Sequence, residues 1–355
     1  MIIHRDILII AGVLLLISSS LSAQASETDP SIDIEYQLYG ELFDNEEPLK
    51  MTLKSDFKAI RKSRSKDFYL PAEMTCYLND SLQVSHPVRL KARGIYRKEN
   101  CSLPPMWLNI RDSGIETEEL SGIRRIKMVH ICRSGGHYSD YLLREYLVYK
   151  IYMLVTPYSF RVRLIDLKMV DTGKDNRETQ GWAFIIEPDE IMAQRLQARE
   201  IVNDELAMRT VNHEAMDLLA MFQYMIGNPD YSVTGRHNLK ILDPGTTGEA
   251  SDYIPVPYDF DFTGFVNAVY ATPNEKHGIS SVKERVFVGP CRDRASYEKA
   301  IGALGAVRDE FETQIWFLDY LDEEERFDMI GYIESFFATA ENERFIDREI
   351  SSTCR

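Results

Sequence analysis

The chain has 355 residues and a formal net charge of -15, with 56 acidic side chains against 41 Lys and Arg. Such a surface repels phosphate backbones and anionic lipids, which argues against nucleic acid or an anionic membrane as the main partner. Hydrophobic residues make up 44% of the chain, enough for a full core in one large or two medium domains.

The first 25 residues have the layout of a cleaved secretory signal. A short basic start with Arg5 precedes the apolar run ILIIAGVLLLI, and small residues follow up to Ala25. An uncleaved membrane anchor is the alternative, although the run is shorter than the ~20 residues that a span requires. We therefore expect an exported protein, periplasmic or secreted, with no membrane span after signal removal.

The cysteines give a second indication of compartment. They are Cys76, Cys101, Cys132, Cys291 and Cys354, and no two form a C-x-x-C pair. In an oxidising compartment one or two disulfides are expected, and the odd number leaves at least one thiol unpaired or intermolecular. Cys76 with Cys101 and Cys291 with Cys354 are two hypotheses, because the sequence does not fix connectivity.

Residues 32–131 alternate short β patterns with turn residues. The strand patterns are MTLKSDF, AEMTCYLN, HPVRLKARGI, MWLNIR and RIKMVHI. The segment SDYLLREYLVYKIYMLV then predicts a helix over 139–155, which Ser139 caps and Pro157 ends. Two further patterns, RVRLIDLKMVD and GWAFIIE, predict a hairpin that completes the sheet.

After Pro188 the pattern becomes mostly helical. DEIMAQRLQA is amphipathic, and NHEAMDLLAMFQYMI begins at a capping Asn212 and ends at Gly227. Two further helical patterns lie between residues 295 and 350. The sequence therefore predicts an α+β protein with a mostly β N-lobe that carries one helix, residues 26–187, and a mostly α C-lobe, residues 188–355.

Acidic and amide side chains of the second half have the order expected of a metal site. Asp259 and Asp261, in PVPYDFDFTG, lie two apart on a predicted strand, so both side chains share one face. They repel unless a cation lies between them, and Mg²⁺, Mn²⁺ or Ca²⁺ suits oxygen ligands. Asn238 can add a neutral oxygen, and Asp230 lies where a catalytic base would be useful. This order is what a phosphoryl-transfer site needs, although each motif alone also fits a turn or an exposed strand edge.

Such a site also needs a positive group near the phosphates. Lys127, on a predicted strand, lies 18 residues before Glu145 on the following helix, which allows the two to pair across the N-lobe. Lys91 and Arg93 form a rival basic cluster, and Arg93 precedes Gly94, where the backbone can approach an anion closely. A solvated strand face is the alternative for each, and the choice between Lys91 and Lys127 stays open.

These segments resemble a known family, the CotH (spore coat protein H) type of atypical kinases, and more closely its exported relatives in Bacteroidetes-type bacteria. The similar segments are VRLKARGIYR, SDYLLREYLVYKIYMLV with FRVRLIDLKMVD, GWAFIIEPDEIMAQR, and NPDYSVTGRHN with PVPYDFDFTG. Together they span about residues 89–264. The resemblance implies a bilobal protein-kinase-like fold with ATP and Mg²⁺ or Mn²⁺ in the cleft.

The resemblance also implies roles for individual residues. Asp230 would be the catalytic Asp, Asn238 a metal ligand, and Asp259 the metal-binding Asp with Asp261 in support. Glu187 ends the segment that resembles the strand between the lobes, on the nucleotide side. The chain departs from the family after its Arg-Gly strand, where CSLPPMWLNI stands in place of a Pro-Lys context.

The leading functional hypothesis is an exported phosphotransferase that uses ATP and a divalent metal, with a protein or small-molecule hydroxyl as acceptor. One alternative is a catalytically degenerate protein that binds a partner, ligand or Ca²⁺ without turnover. Another is an envelope structural protein in which the acidic loop is a metal-stabilised brace.

Overall fold

A computed structural model describes residues 30–202, 206, 208–245, 252–273 and 275–355. The predicted signal segment, residues 1–25, lies outside the described residues. Among the helices of the described part, none combines the length and apolar character that a membrane crossing requires.

Seven strands close into a β-barrel. They are β1 (Leu49–Ser55), β2 (Leu70–Tyr77), β3 (Gln83–Ala92), β4 (Met106–Asn109), β5 (Arg125–His130), β6 (Val162–Asp171) and β7 (Arg177–Ile186). Their order around the barrel is β1-β2-β3-β4-β5-β7-β6. Neighbours run antiparallel except β1 and β6, which pair in parallel from Leu49 with Ile165 to Ser55 with Asp171. This parallel pair closes the sheet.

The barrel interior is filled by every second side chain along its strands. In β1 every second residue is buried, which places Leu49, Met51 and Leu53 inside, and β3 alternates in the same way. Leu90 of β3 and Met106 of β4 are fully buried in the same core. The interior is packed with side chains, as expected of a small barrel.

The expected bilobal kinase-like fold, with a mostly β N-lobe and a mostly α C-lobe, is wrong. The front of the chain is a closed, mixed seven-stranded barrel. The second half also contains a three-stranded sheet of β8 (Arg199–Glu200), β9 (Leu239–Asp243) and β10 (Ile254–Pro257). Alternation predicted the individual barrel strands and the β6–β7 hairpin, which are confirmed, but it cannot show that β1 pairs with β6.

Helices make up most of the remaining structure. They are α1 (Pro30–Tyr39), α2 (Phe57–Lys62), α3 (Tyr96–Asn100), α4 (Gly136–Val155), α5 (Asp189–Arg195), α6 (His213–Met225), α7 (Arg294–Gly305), α8 (Arg308–Trp316) and α9 (Glu323–Ala340). Short 3₁₀ turns lie at Thr172–Lys174, Met208–Thr210 and Glu275–His277, and a π-helical turn at Ile346–Ile350. The predicted cap of α6 is confirmed, since Asn212 accepts from the Ala215 N–H. The long pattern after residue 295 divides into α7 and α8.

Helix α4 is buried along most of its length between the barrel and the second half. On the barrel side, the ring centroid of Tyr149 lies 5.8 Å from that of Phe184 in β7. Toward the second half, the ring centroid of Tyr152 lies 4.5 Å from that of Phe222 in α6. The helix begins at Gly136, three residues before the predicted cap at Ser139. Because α4 is central, the side chain of its Glu145 lies in the interior of the protein.

Two disulfides join Cys101 to Cys132 and Cys291 to Cys354. The hypothesis that Cys291 pairs with Cys354 is confirmed. Pairing of Cys76 with Cys101 is wrong, because Cys76 is a free thiol buried in the barrel core while Cys101 follows α3. The first disulfide therefore ties the end of α3 to the chain that leaves β5.

Candidate functional site

A cleft of about 550 Å³ lies between the loop after β3 and the segments that flank β9 and β10. Its volume is in the range of ligand pockets. The lining residues are Arg93, Gly94, Ile95, Tyr96, Arg97, Pro105, Asp230, Arg236, His237, Asn238, Tyr258, Asp259, Asp261 and Phe262. Predicted site residues from three separate segments therefore line one cleft.

Three carboxylates converge in this region, and Asp259 and Asp261 among them line the cleft. One oxygen from each of Glu145, Asp259 and Asp261 lies within 4.8 Å of the other two. Glu145 comes from the middle of α4, and the two Asp residues follow β10. Glu145 and Asp261 are buried, whereas Asp259 is exposed. The group therefore offers a cation one accessible and two buried carboxylates. The sequence did not indicate that Glu145 could be a metal ligand.

The predicted strand placement of the two Asp residues is wrong. β10 ends at Pro257, and Asp259 and Asp261 lie in the turn that follows. Asp259 has a left-handed backbone with φ of 65°, which Asp tolerates better than most residues. Its N–H donates to the Tyr149 hydroxyl over 2.9 Å. The carboxylates converge because the chain turns there, and not because a strand alternates.

Arg97 is the buried cation of this group. Its Nη2 lies 2.5 Å from Glu145 Oε2, and its Nε lies 2.6 Å from Asp261 Oδ2. Burial acts to lower the pKa of Arg97, but the two carboxylates outweigh burial and raise it well above its usual value. The guanidinium therefore stays charged.

Lys127 does not take the place predicted for it. The expected pair with Glu145 is absent, because Lys127 lies 2.6 Å from Asp189 and Glu145 pairs with Arg97. Sequence reasoning missed Arg97, although it follows Arg93 by four residues in the same basic segment. The available signal was that basic segment, but nothing in it showed that α3 turns the Arg97 side chain inward.

The electrostatics of the carboxylate group favour a bound cation. If all three carboxylates lost their protons, one guanidinium would leave an excess of two negative charges. Burial raises the pKa of Glu145 to about 8, with Asp261 and Asp259 adding to the rise and Arg97 opposing it. Burial also raises the pKa of Asp261. Glu145 Oε1 is buried and has no hydrogen-bond partner in the described part of the chain. A divalent cation would give this oxygen a partner, whereas a proton would only remove its charge.

The loop before β9 holds Asp230 in a fixed orientation. His237 Nε2 lies 2.9 Å from Asp230 Oδ1, and Asn238 Nδ2 lies 3.2 Å from Oδ2. Asn238 Nδ2 also donates to the Asp230 carbonyl over 2.8 Å. Because a carbonyl oxygen only accepts hydrogen bonds, the Asn238 amide must turn its nitrogen, and not its oxygen, toward Asp230. In the part of the chain that the structure describes, Asn238 Oδ1 makes no hydrogen bond, so this oxygen can bind another ligand.

Backbone strain is concentrated at the same cleft. Seven non-glycine residues of the described chain have positive φ, and Arg236, Asn238 and Asp259 are three of them. All three line the cleft. Such conformations persist where surrounding contacts hold them, and they cluster at binding and catalytic sites.

A second cavity, of about 440 Å³, meets the cleft at Asp230 and Phe262, which line both. Pro229, Pro273 and Ile279 contribute apolar surface to it. The Asp230 carboxylate is 40% exposed. It therefore lies at the boundary between two cavities, accessible to solvent.

Arg93 lines the cleft and retains donors for an anion. Its guanidinium lies 5.3 Å from the Trp107 ring centroid, and it has no carboxylate partner among the described residues. Lys91, the other member of the predicted cluster, does not line the cleft and binds the exposed Asp67. Of the two, the structure brings only Arg93 to the other predicted site residues.

Glu187 lies outside the cleft lining. It is fully buried, with Arg161 Nη2 2.7 Å from its Oε1 and Arg195 Nη2 2.9 Å from its Oε2. Both carboxylate oxygens are thus engaged by guanidinium groups. This arrangement braces β7 against β6 and α5 and does not offer the carboxylate to a nucleotide.

No protein-family model matches the chain, and no curated protein matches it.

Proposed function

We propose that the protein is a metal-dependent phosphotransferase that moves the γ-phosphoryl group of ATP to an acceptor hydroxyl. The observation that carries this proposal is the convergence of the Glu145, Asp259 and Asp261 carboxylates within 4.8 Å at a cleft that Asp230 also lines. A carboxylate cluster for a metal beside a separate, exposed carboxylate is the arrangement that phosphoryl transfer uses. The resemblance to CotH-type kinases supports the same reaction, although the barrel differs from the fold that the resemblance implied.

The donor set fits a hard divalent cation. Asp259, Asp261 and Oδ1 of Asn238 would hold Mg²⁺ or Mn²⁺, with Glu145 as a further oxygen donor. Carboxylate and amide oxygens suit these ions and Ca²⁺, and the group contains no His or Cys that would favour zinc. When bound, the ion would neutralise phosphate charge.

Arg93 would bind the phosphates of ATP. Its guanidinium faces the cleft and presents a planar set of N–H donors that matches a phosphate in two-point contacts. Gly94, which follows it, has φ of 85° and open space around its Cα, so the backbone can approach an anion there.

Asp230 would act as the general base. The acceptor oxygen forms a bond to the γ-phosphorus while the bond from that phosphorus to the β,γ-bridging oxygen breaks. ADP leaves with the electron pair, and Asp230 takes the hydroxyl proton. His237 and Asn238 hold the carboxylate in place, and the cavity beyond Asp230 would hold the acceptor, a small molecule or a side chain of a protein.

The reaction would take place outside the cytoplasm. The signal-like first 25 residues and the two disulfides support a periplasmic or secreted location.

The purified protein tests this proposal with ATP labelled at the γ-phosphate. We expect ATP with Mg²⁺ or Mn²⁺ to raise the melting temperature and to label the protein itself or casein as acceptor. If millimolar ATP with either metal leaves the melting temperature unchanged, the proposal is wrong. Binding of ATP without any label transfer would favour a protein that binds nucleotide without turnover.

A further inference from the structure

A basic site, separate from the acidic cleft, lies at one end of the barrel. A cavity of about 440 Å³ is enclosed by α2, the segment after Cys101, the chain that leaves β5, and the β6–β7 hairpin. It shares no lining residue with the cleft or with the cavity beyond Asp230. We propose that this cavity binds a small oxyanion that carries an apolar, ring-sized body.

The cavity arises because β5 is shorter than its neighbour. β5 pairs with β7 only from Lys127 with Ile186 to His130 with Ala183, whereas β7 begins at Arg177. Beyond His130 the chain leaves the barrel, and the Cys101–Cys132 disulfide holds it beside the opening. A covalent link therefore fixes one wall of the cavity.

A close approach fixes the opposite wall. The turn between β6 and β7 contains Gly173, where a Cβ atom would lie 2.1 Å from Asp56 Oδ1. Asp56 caps α2 by accepting from the Ala59 N–H over 2.7 Å. Only glycine lets the turn and the start of α2 come this close, so the hairpin and α2 are held together.

Part of the cavity lining is apolar. Phe57 of α2 and Leu103 are buried there, and Ile131 and Met169 add partly buried surface. A free inorganic anion would gain nothing from these side chains. A ligand with a ring or a short hydrocarbon body would bury apolar area against them.

Two cations of the lining are held in place by the protein. Arg61 Nη2 lies 3.1 Å from Asp171 Oδ2, and Arg133 Nη2 donates to the Asn100 carbonyl over 3.0 Å. Each guanidinium has further N–H groups beyond these contacts. They are oriented before a ligand arrives, which reduces the entropy lost on binding.

Two more cations lack any such contact. Lys174 and Arg177 lie on the β6–β7 hairpin, both are exposed, and neither has an ion-pair partner in the described part of the chain. The nearby Glu178 pairs with Lys168 instead, at 2.9 Å. Asp171 is the only carboxylate among the lining residues, so the lining has an excess of three positive charges. This excess contrasts with the net charge of -15 of the chain.

The chemistry of the lining selects the class of ligand. Guanidinium and ammonium groups bind phosphate, sulfate and carboxylate, and arginine does so with two parallel hydrogen bonds. The apolar part of the lining adds affinity for a ring that carries such a group. The expected ligand therefore combines an oxyanion with an attached ring. The titration described next distinguishes phosphate, sulfate and carboxylate as that oxyanion.

Calorimetric titration of the full chain in EDTA tests the proposal with phenyl phosphate, phenyl sulfate, benzoate and inorganic phosphate. EDTA removes divalent metal and with it any metal-bridged binding of the anion at the acidic cleft, and the variants described next separate the cavity from Arg93 of that cleft. We expect saturable binding of at least one ring-bearing anion, about tenfold or more tighter than that of inorganic phosphate. Absence of saturable binding at millimolar concentration, or equal affinity for inorganic phosphate, would overturn the proposal.

Two variants locate the binding. The double variant Lys174→Ala/Arg177→Ala is expected to weaken it about tenfold or more, because two charged donors are lost. Thr179→Trp, at an exposed lining position, is expected to block the cavity. The matched control, Lys54→Ala/Arg344→Ala, removes two exposed cations outside the lining and should bind normally. Unchanged binding in the first two variants, or an equal loss in the control, contradicts the assignment.

Discussion

The guanidinium of Arg97 donates to Asp261 Oδ2 over 2.6 Å and ties the short helix after β3 to the turn after β10. The same side chain binds Glu145 on α4. Three segments far apart in the sequence therefore meet at one buried cation. The candidate metal site depends on this contact, because Arg97 offsets part of the repulsion among the carboxylates that would hold the ion.

Replacing Arg97 with Met should lower stability strongly. The variant leaves Glu145 and Asp261 buried without their counter-charge, which typically lowers the free energy of unfolding by about 3–5 kcal/mol. Urea denaturation at pH 7 in EDTA measures the effect. Lys91→Met is the control, since its partner Asp67 is exposed, and its midpoint should hardly change. Similar midpoints for the two variants would show that the buried group is not stabilising.

Asp259→Asn should abolish the response to metal. Asp259 is the exposed carboxylate of the group, so its loss removes the charge that an incoming ion meets first. We expect Mn²⁺ no longer to raise the melting temperature, and ATP binding to be lost with it. Asp112→Asn, which changes an exposed carboxylate on the barrel surface, should keep both responses. A normal Mn²⁺ response in Asp259→Asn would place the metal elsewhere.

Asp230→Asn should separate binding from turnover. The amide keeps the shape of the side chain but cannot accept the proton, so we expect turnover to fall about 10²–10⁴-fold. Binding of ATP with Mn²⁺, measured by melting temperature, should stay close to that of the unchanged protein. If ATP binding falls in parallel with turnover, Asp230 is a ligand and not the base.

Local sequence patterns predicted much of the secondary structure for a physical reason. Side-chain alternation reports which face of a strand is buried, so β1 to β7 could be recognised one by one. Alternation carries no information about partners, and the parallel pairing of β1 with β6 that closes the barrel was missed. The fold class was wrong for that reason.

The candidate site was predicted in part, and the errors have a common origin. Asp230, Asn238, Asp259 and Asp261 line one cleft, as their order along the chain suggested. The pairing of Lys127 with Glu145 that the spacing allows does not form, because only packing decides which of several nearby basic side chains turns inward. Arg97 lies on the short helix α3, which has no strong sequence signal, so its position near the carboxylates could not be predicted.

The Cys101–Cys132 disulfide should matter for the site as well as for stability. It encloses a sequence separation of 31 residues and anchors the end of the helix that carries Arg97. The double variant Cys101→Ser/Cys132→Ser should lose about 3–4 kcal/mol of unfolding free energy and should bind Mn²⁺ more weakly. Cys291→Ser/Cys354→Ser is the matched control, with comparable destabilisation but unchanged Mn²⁺ affinity. Equal effects on Mn²⁺ in both variants would count against a positioning role.

The raised pKa of Glu145 predicts how stability and metal binding depend on pH. In the unfolded chain this carboxyl loses its proton near its usual pKa of 4.5, whereas burial holds the proton to about pH 8 in the folded protein. The folded state binds more protons between these values. The stabilising contribution is therefore fully present below pH 4.5 and is lost as the pH rises toward 8, with a slope of at most about 1.4 kcal/mol per pH unit.

A divalent cation competes with that proton, so the rise in melting temperature that Mn²⁺ produces should grow over the same range. Urea denaturation at several pH values in EDTA, and melting with Mn²⁺, measure the two trends. Glu145→Gln replaces the carboxyl with a neutral group and should remove most of the pH dependence of the metal-free protein, while Glu178→Gln, at an exposed position, should not. If Glu145→Gln keeps the full pH dependence, another buried carboxyl, with Asp261 first, is the group that titrates, because burial raises its pKa as well.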